Sequence, residues 1–379
     1  MIYADNAATT KISPTVLEKM LPYLSEEYGN ASSQSSLGIK AKRAIDNARE
    51  QISRSIRSKP NEVFFTSGGT EANNWVLRSV ADAHINKNPH FITSMIEHPS
   101  VLNTCRALEN IGVDITYLPV NINGKVLIDD VLSSIKPNTA LVSIMLANNE
   151  IGVIQPVSDI GKILRDKGIL FHTDAVQAVG RIPVDVNNIN VDFLTASAHK
   201  FYGAKGTGIL YKRSGVELQP FIYGGGQEKV IRSGTENVAG IVAAGYALEE
   251  CSHDIDSIIK MLNGLVSLTV ESVIKHIPTM RVNGSIDKRL PGIINLGFDG
   301  VSGESIMHLL DLKGICVSTS SACSAGKDEP SHVLLAMGQT EQQAKSAIRI
   351  SYGRHNTSED ATALADAVCE VYDKVKKFG

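Results

Sequence analysis

The sequence predicts an α/β fold, with a large domain built on a seven-stranded, mostly parallel sheet and a smaller α+β domain at the C-terminal end. Three observations lead to this prediction. From about residue 60, short runs of β-branched or aromatic residues alternate with polar turns and helical patterns. After Gly240 this alternation gives way to a long helical stretch and then to a mixed pattern. A chain of 379 residues is also long enough for two domains.

The candidate strands of the large domain are separated by helical patterns, as in a chain of βαβ units. They are 62–66, 90–95, 114–119, 139–146, 168–173, 191–196 and 207–212. The long helical stretch continues to about Lys275 and is followed by candidate strands 292–298, 314–319 and 347–352, with helices from Glu304 and Ser358. We predict a large domain over 12–252 and a small domain made of 1–11 and 253–379.

Composition and charge favour a small-molecule partner. Hydrophobic residues make up 43% of the chain and charged residues 20%, which are ordinary globular values. The net charge of −3 gives no overall basic field for nucleic acid or an acidic membrane. Residues 1–6 lack the pattern of a signal peptide, and no apolar run approaches the ~18 residues that span a bilayer. We therefore expect a cytoplasmic protein without nucleic-acid or membrane partners.

Polar residues follow five of the predicted strands at the point where each strand ends. In an open parallel sheet, ligands bind outside the carboxyl ends of the strands, so these side chains are expected to share one cleft. They are Ser67, Thr70 and Glu71 after the first strand, Glu97 and His98 after the second, Asn148, Asn149 and Glu150 after the fourth, Asp174 and Gln177 after the fifth, and Ser197, His199 and Lys200 after the sixth.

The stretch 67–74, Ser-Gly-Gly-Thr-Glu-Ala-Asn-Asn, joins a strand to a helix and is a candidate phosphate cradle. Gly69 and its neighbour allow backbone N–H groups to approach a phosphate, and a helix N-terminus favours the negative charge. An ordinary tight turn capped by Thr70 is the alternative. The stretch matches neither a Walker loop nor G-x-G-x-x-G, which disfavours nucleoside triphosphates and NAD.

Lys200, Asp174 and His98 complete a site suited to pyridoxal phosphate. A lysine amine in a cleft forms a Schiff base with an aldehyde cofactor, and a carboxylate keeps a pyridine nitrogen protonated. His98, directly after a strand, is placed to stack on the ring and to shuttle a proton. Taken singly, Lys200 could be a surface turn residue, Asp174 a helix cap and His98 a core histidine; five strand ends together favour the cofactor site.

With these residues in place, the chain resembles the class V, fold-type I pyridoxal-phosphate enzymes, and specifically the cysteine desulfurases of the NifS/IscS type. The resemblance covers nearly the whole chain. The matching segments are 3–10, 66–74, 97–100, 148–152, 172–177, 197–203, 224–228, 232–235, 321–323 and 348–349.

The resemblance implies a role for each matching residue. It makes Lys200 the Schiff-base lysine, His98 the stacking acid or base, and Asp174 the partner of the pyridine nitrogen, with Gln177 near the phenolic oxygen of the cofactor. The remaining implied ligands are Gly69, Thr70, Ser197 and His199 at the phosphate, Asn149 and Arg349 at the substrate carboxylate with Asn149 also near the cofactor, and Thr235 at the phosphate of the other subunit's cofactor. The last role implies a homodimer.

The resemblance also makes Cys323 the sulfur carrier. It lies within a run of small residues, and we predict a mobile loop over about 318–330. The implied reaction converts L-cysteine to L-alanine and leaves sulfur on Cys323 as a persulfide, for transfer to an acceptor or scaffold protein in iron–sulfur cluster assembly or tRNA thiolation. Members of the family commonly have Pro and His where this chain has Ala31 and Ser35, which affects the local loop.

Three other functions fit parts of the pattern. A selenocysteine lyase or another β-eliminating enzyme would share the fold and the lysine. A transaminase would need no mobile cysteine. A cofactor-free binding platform would retain the fold without chemistry, but Lys200, Asp174 and His98 together argue against it.

Overall fold

The computed structural model describes residues 1–319 and 329–378. Its helices and strands are as follows. The strands are β1 (Ile2–Tyr3), β2 (Val63–Thr66), β3 (His90–Ser94), β4 (Asp114–Leu118), β5 (Thr139–Ser143), β6 (Leu170–Asp174), β7 (Phe193–Ser197), β8 (Gly208–Lys212), β9 (Arg281–Asn283), β10 (Ile293–Gly297), β11 (Ile315–Cys316), β12 (Ser318–Thr319) and β13 (Ala347–Ser351). The helices are α1 (Pro14–Met20), α2 (Pro22–Ser25), α3 (Ser36–Ser55), α4 (Gly69–His84), α5 (Pro99–Glu109), α6 (Ile128–Ser134), α7 (Val157–Lys167), α8 (Val186–Ile189), α9 (Val238–His253), α10 (Ile255–His276), α11 (Gly303–Leu312), α12 (His332–Ala336), α13 (Glu341–Lys345) and α14 (Ser358–Phe378).

The large sheet has the strand order β2-β8-β7-β6-β5-β3-β4. Strands β3 to β7 are parallel to one another, and β8 runs antiparallel to both of its neighbours, β2 and β7. This confirms the predicted seven-stranded, mostly parallel sheet. The parallel strands all end at the same edge, which fixes where the polar residues after them come together.

Helices cover both faces of this sheet, and the alternation of side chains along β2 shows how. Phe64 points to one face, where its ring lies 6.3 Å from that of Trp75 in an edge-on contact. Phe65 points to the other face and belongs to the buried cluster that includes Ile52 of α3 and Ile241 of α9. Because successive residues of a strand face opposite sides, an apolar run buried on both sides indicates a sheet between two helical layers.

The small domain is built on the antiparallel sheet β12-β13-β10-β9 and the parallel pair β1-β11. Its core includes Val266 of α10, Ile306 of α11 and Val368 of α14. The N-terminal segment belongs to both cores, since Ala4 packs in this cluster and Ala7 in that of the large sheet. Residues 2–10 therefore run from one core to the other, past the ends of the large strands.

The helical stretch predicted to run to about Lys275 is two helices, α9 and α10, which meet at Asp254. By length and composition α10 passes as a membrane-crossing helix, but it packs against α14 and buries Leu262, Leu265 and Val266 in the small core. Packing within the protein thus accounts for these three apolar residues, whereas Ile274 of the same helix is exposed.

Two helical glycines are expected to respond oppositely to replacement by alanine. A Cβ on Gly161 in α7 would collide with the backbone carbonyl of Ile189, so Gly161→Ala should destabilise the fold by about 1–3 kcal/mol despite alanine's better helix propensity. Nothing lies within 4 Å of a Cβ on Gly264 in α10, so Gly264→Ala should stabilise it by about 0.5–1 kcal/mol. Thermal midpoints moving in the same direction would contradict this pair of predictions.

Candidate active site

A cavity of 340 Å³ lies at the carboxyl ends of the parallel strands. Of the residues predicted from the sequence, those that line it are Gly69, Thr70, His98, Asn149, Asp174, Gln177, Ser197, His199, Lys200 and Arg349. Thr235 lies elsewhere, in a depression that also includes Thr66 and Arg232. Cys323 and most of the predicted loop over 318–330 lie outside the described residues. The structure thus brings together ten of the twelve residues to which the resemblance assigns a role. Five of the strand-end residues expected in the same cleft do not line it, namely Ser67, Glu71, Glu97, Asn148 and Glu150.

One end of the cavity is formed by the N-terminus of α4. The helix begins at Gly69, directly after β2, so its first N–H groups have no partner within the helix. A Cβ on Gly69 would lie 2.7 Å from the side chain of Val176, so glycine allows this close approach of the α4 backbone to the segment after β6. Ser197 and His199 line the same cavity and add a hydroxyl and an imidazole. This donor set fits a phosphate group.

His199 is a neutral imidazole in this arrangement. Burial, together with the positive charges of Lys200 and Lys205, lowers the pKa of His199 to about 4. Its Nδ1 lies 3.1 Å from the hydroxyl oxygen of Thr9. A neutral imidazole that uses one nitrogen in this way keeps the other for a bound group.

Lys200 ends a single turn of 3₁₀ helix that follows β7. Its Nζ donates to the backbone carbonyl oxygens of Ala7 at 2.7 Å and Ala8 at 2.6 Å. The N-terminal segment therefore holds the amine at the wall of the cavity. These two contacts hold the amine in place, and Lys200 is part of the cavity lining.

Asp174 and Gln177 come from the end of β6. Asp174 is 5% exposed, and its carboxylate accepts hydrogen bonds from the backbone N–H of Val176 at 3.0 Å and from Asn73 at 2.7 Å. Gln177 donates to the carbonyl of Ala7 at 2.9 Å, whereas its Oε1 is buried and makes no hydrogen bond within 1–319 and 329–378. Since buried polar atoms are seldom left unpaired, this amide has capacity for a bound group.

Arg349 is the buried positive charge of the cavity, 2% exposed on β13. Its Nη2 lies 2.7 Å from a carboxylate oxygen of Asp5, and its Nη1 donates to the backbone carbonyl of Asn149 at 3.0 Å. Its Nε is buried without a hydrogen-bond partner among the described residues. A guanidinium held in this way presents a fixed fork, which is the geometry that recognises a carboxylate.

Two further carboxyl groups are buried beside the cavity. Burial raises the pKa of Glu97 to about 8 and that of Glu150 to about 7. Ser331 donates its hydroxyl to Glu150, and Nε2 of His332 lies 3.0 Å from the backbone carbonyl of Glu97. Residues soon after the undescribed stretch therefore contact the strand ends that carry His98 and Asn149.

Sequence reasoning missed several groups that shape the cavity. Asp5 and the carbonyls of Ala7 and Ala8 come from the N-terminal segment, and Asn73 and Ser100 come from the first turns of α4 and α5. The matching segments 3–10, 66–74 and 97–100 included them, but without roles. Backbone carbonyls leave no signal in a sequence, whereas Asn73 and Ser100 are polar residues on the buried faces of their helices, which was a signal that was available.

Comparison with known proteins gives consistent results over nearly the whole chain. The model of the family described as aminotransferase class V matches residues 2–364. The protein named cysteine desulfurase IscS of Clostridium botulinum is 44% identical over 378 residues, which cover 99% of this chain and 94% of the relative.

Solved structures agree with the sequence relatives. A NifS-like protein has a TM-score of 0.93 and 38% identity, over 98% of this chain and 99% of that protein. A structure described as SspA in complex with cysteine has a TM-score of 0.83 and 37% identity, over 94% of this chain and all of that protein (100%). The range matched by the family model includes every residue that lines the cavity.

Proposed function

We infer the chemistry of this cavity from the family, because the chain belongs to the aminotransferase class V family and is a cysteine desulfurase. We propose that the cavity holds pyridoxal 5'-phosphate. The observation that carries this proposal is the convergence of Lys200, Asp174 and the N-terminus of α4 on one cavity. The unpaired Oε1 of Gln177 and the donors near Gly69 fit a ring with a polar substituent and a phosphate.

In this proposal each side chain has one task. When bound, pyridoxal phosphate supplies an electron sink for the bonds at Cα of the amino acid. Asp174 keeps the ring nitrogen protonated, and the amine of Lys200 takes the proton from Cα. Arg349 binds the substrate carboxylate together with Asn149. His98 delivers a proton to the substrate.

The sulfur balance requires a thiol, and we propose that Cys323 is the carrier. L-cysteine and the thiol of Cys323 give L-alanine and a Cys323 persulfide: the C–S bond of the substrate breaks, an S–S bond forms, and no outside oxidant is needed. A second thiol-bearing protein would then accept the sulfur. We further propose a cytoplasmic homodimer, in which Thr235 reaches the partner's cofactor.

The proposal is tested by incubating the purified, cofactor-loaded protein with L-cysteine and measuring both alanine and protein-bound sulfane sulfur. The wild type should form both without consuming a keto acid, which distinguishes it from a transaminase. Cys323→Ser should form no protein-bound persulfide, whereas Cys369→Ser, a half-buried cysteine of α14, should match the wild type. A Cys323→Ser protein with the parental amount of bound sulfane sulfur would remove Cys323 from the mechanism.

A further inference from the structure

Two side chains of the proposed mechanism, Asp174 and His98, belong to different strand ends yet are connected through other side chains. Asp174 ends β6, and His98 follows β3 and precedes α5. Asn73 on α4 and Ser100 on α5 lie between them and line the same cavity. The proposed reaction assigns neither of these two residues a task.

The amide of Asn73 donates in two directions. Its Nδ2 lies 2.7 Å from Oδ2 of Asp174 and 2.8 Å from Oγ of Ser100. An amide nitrogen carries two hydrogens, so each contact can use one of them. Asn73 thus bonds to a carboxylate and a hydroxyl at the same time.

Thr195 on β7 fixes which way this amide points. Its hydroxyl donates to Oδ1 of Asn73 at 2.6 Å. In the reversed orientation the amide oxygen would face the carboxylate of Asp174, and two acceptors would meet. The assignment of donor and acceptor therefore follows from the three neighbours of Asn73.

Ser100 continues the connection to His98. Its backbone N–H donates to Nδ1 of His98 at 3.1 Å, and its Oγ lies 2.8 Å from the same nitrogen. Because Oγ accepts from Asn73, its own hydrogen is available for Nδ1. Nδ1 is then an acceptor, and the neutral ring carries its proton on Nε2, the nitrogen left to act in the cavity.

All of these groups are shielded from water. Asn73 and Thr195 are 0% exposed, and Ser100 is 8% exposed. Buried networks with every member paired are stiff, and removing one member leaves others unpaired. The hydrogen bonds of Asn73 and Ser100 therefore hold the side chains of Asp174 and His98 in one geometry.

We propose that Asn73 and Ser100 are positioning residues for cysteine desulfuration, because their hydrogen bonds form a bridge between the carboxylate of Asp174 and Nδ1 of His98. The inference rests on the proposed function for the tasks of Asp174 and His98. The bridge orients the carboxylate of Asp174 toward the ring nitrogen of the proposed cofactor. It also holds His98 as a neutral imidazole with its proton on Nε2. Helix α4 then serves both ends of the cofactor, with Gly69 at the phosphate and Asn73 one turn later at Asp174.

The electrostatics of His98 agree with the bridge. Burial lowers the pKa of His98, and Lys200 lowers it further while Asp174 opposes the change. His332 on α12 also interacts electrostatically with His98, and the buried carboxyl of Glu97 is its neighbour in the chain. A hydrogen bond donated to Nδ1 also favours the neutral ring, so its loss should shift the titration of His98 upward.

The test is the titration of His98 followed by NMR on the full chain loaded with pyridoxal phosphate and labelled with ¹⁵N-histidine. Its signals are assigned with His98→Gln. Ser100→Ala should raise the midpoint by about 0.5–1 pH unit, because the hydroxyl donor to Nδ1 is lost. Ser100→Thr keeps the hydroxyl and should retain the wild-type midpoint. Arg78→Ala, an exposed change on α4, controls for general effects on that helix.

Asn73→Leu removes all three hydrogen bonds of the amide at similar volume and should also raise the midpoint. Both Ser100→Ala and Asn73→Leu should lower kcat for alanine formation by about tenfold, with a smaller change in KM for L-cysteine, since positioning affects the reacting geometry more than binding. If Asn73→Leu does not fold, Ser100→Ala and Ser100→Thr decide the question alone.

An unchanged His98 midpoint in Ser100→Ala would overturn the bridge, whatever the activity. The proposed function fails by a different result, namely the absence of alanine formation by the wild type. In that case the NMR titrations still determine whether Asn73 and Ser100 act on His98.

Discussion

Replacing Lys200 with alanine is expected to lower the rate of alanine formation from L-cysteine by about 10³-fold or more. The amine is the group to which we assign proton removal from Cα, and a positioned acid or base contributes about 10²–10⁴-fold. Its contacts with the carbonyls of Ala7 and Ala8 fix it at the wall of the cavity. The measurement is a single-turnover assay for alanine, together with the visible absorbance of the cofactor-loaded protein.

Lys162→Ala provides the matched control, since this lysine is exposed on α7 and remote from the cavity. Its activity and absorbance should equal those of the wild type. A Lys200→Ala protein with near-parental activity would show that another base removes the proton, and the assignment of the amine would be wrong.

Replacing Asp174 with alanine is expected to lower kcat by about 10²–10³-fold and to weaken binding of pyridoxal phosphate. The carboxylate is 5% exposed, and the loss of one partner from a buried charged hydrogen bond costs about 3–4 kcal/mol, which corresponds to such factors. Asn73 and the N–H of Val176 would also lose their acceptor. Cofactor affinity is measured by equilibrium dialysis, and kcat by alanine formation at saturating cofactor.

Asp159→Ala is the corresponding control, because Asp159 is exposed in the first turn of α7. It should change neither quantity. If Asp174→Ala bound the cofactor as tightly as the wild type and retained its kcat, the ring nitrogen would have to contact a different group.

Much of the cavity could be predicted because parallel strands present their carboxyl ends at one edge. His98, Asp174 and Lys200 each follow an apolar run, and any register of the sheet brings such residues together. Strand ends themselves were less predictable. The run 139–146 was expected to be a strand throughout, but β5 ends at Ser143, although Ile144 and Leu146 still donate to carbonyls of β6.

The contacts that depend on distant parts of the chain could not be predicted. The pair Asp5–Arg349 joins residues 344 positions apart, and its formation depends on how β1, β11 and β13 are arranged in the small domain. The helical stretch to Lys275 divides at Asp254, because α9 packs in the large core and α10 in the small one. Both features depend on tertiary packing, which the local sequence pattern of hydrophobic and polar residues does not determine.

The N-terminal segment restricts substitution in two different ways. At Ala7 and Ala8 the groups that bind Lys200 are carbonyls, which every amino acid possesses, so evolution can act there only through side-chain bulk and backbone shape. Ala7 is 1% exposed, which leaves little room for anything larger. At Asp5 the side chain itself meets Arg349, and there a descendant lineage could exchange the acid only together with a change in its partner.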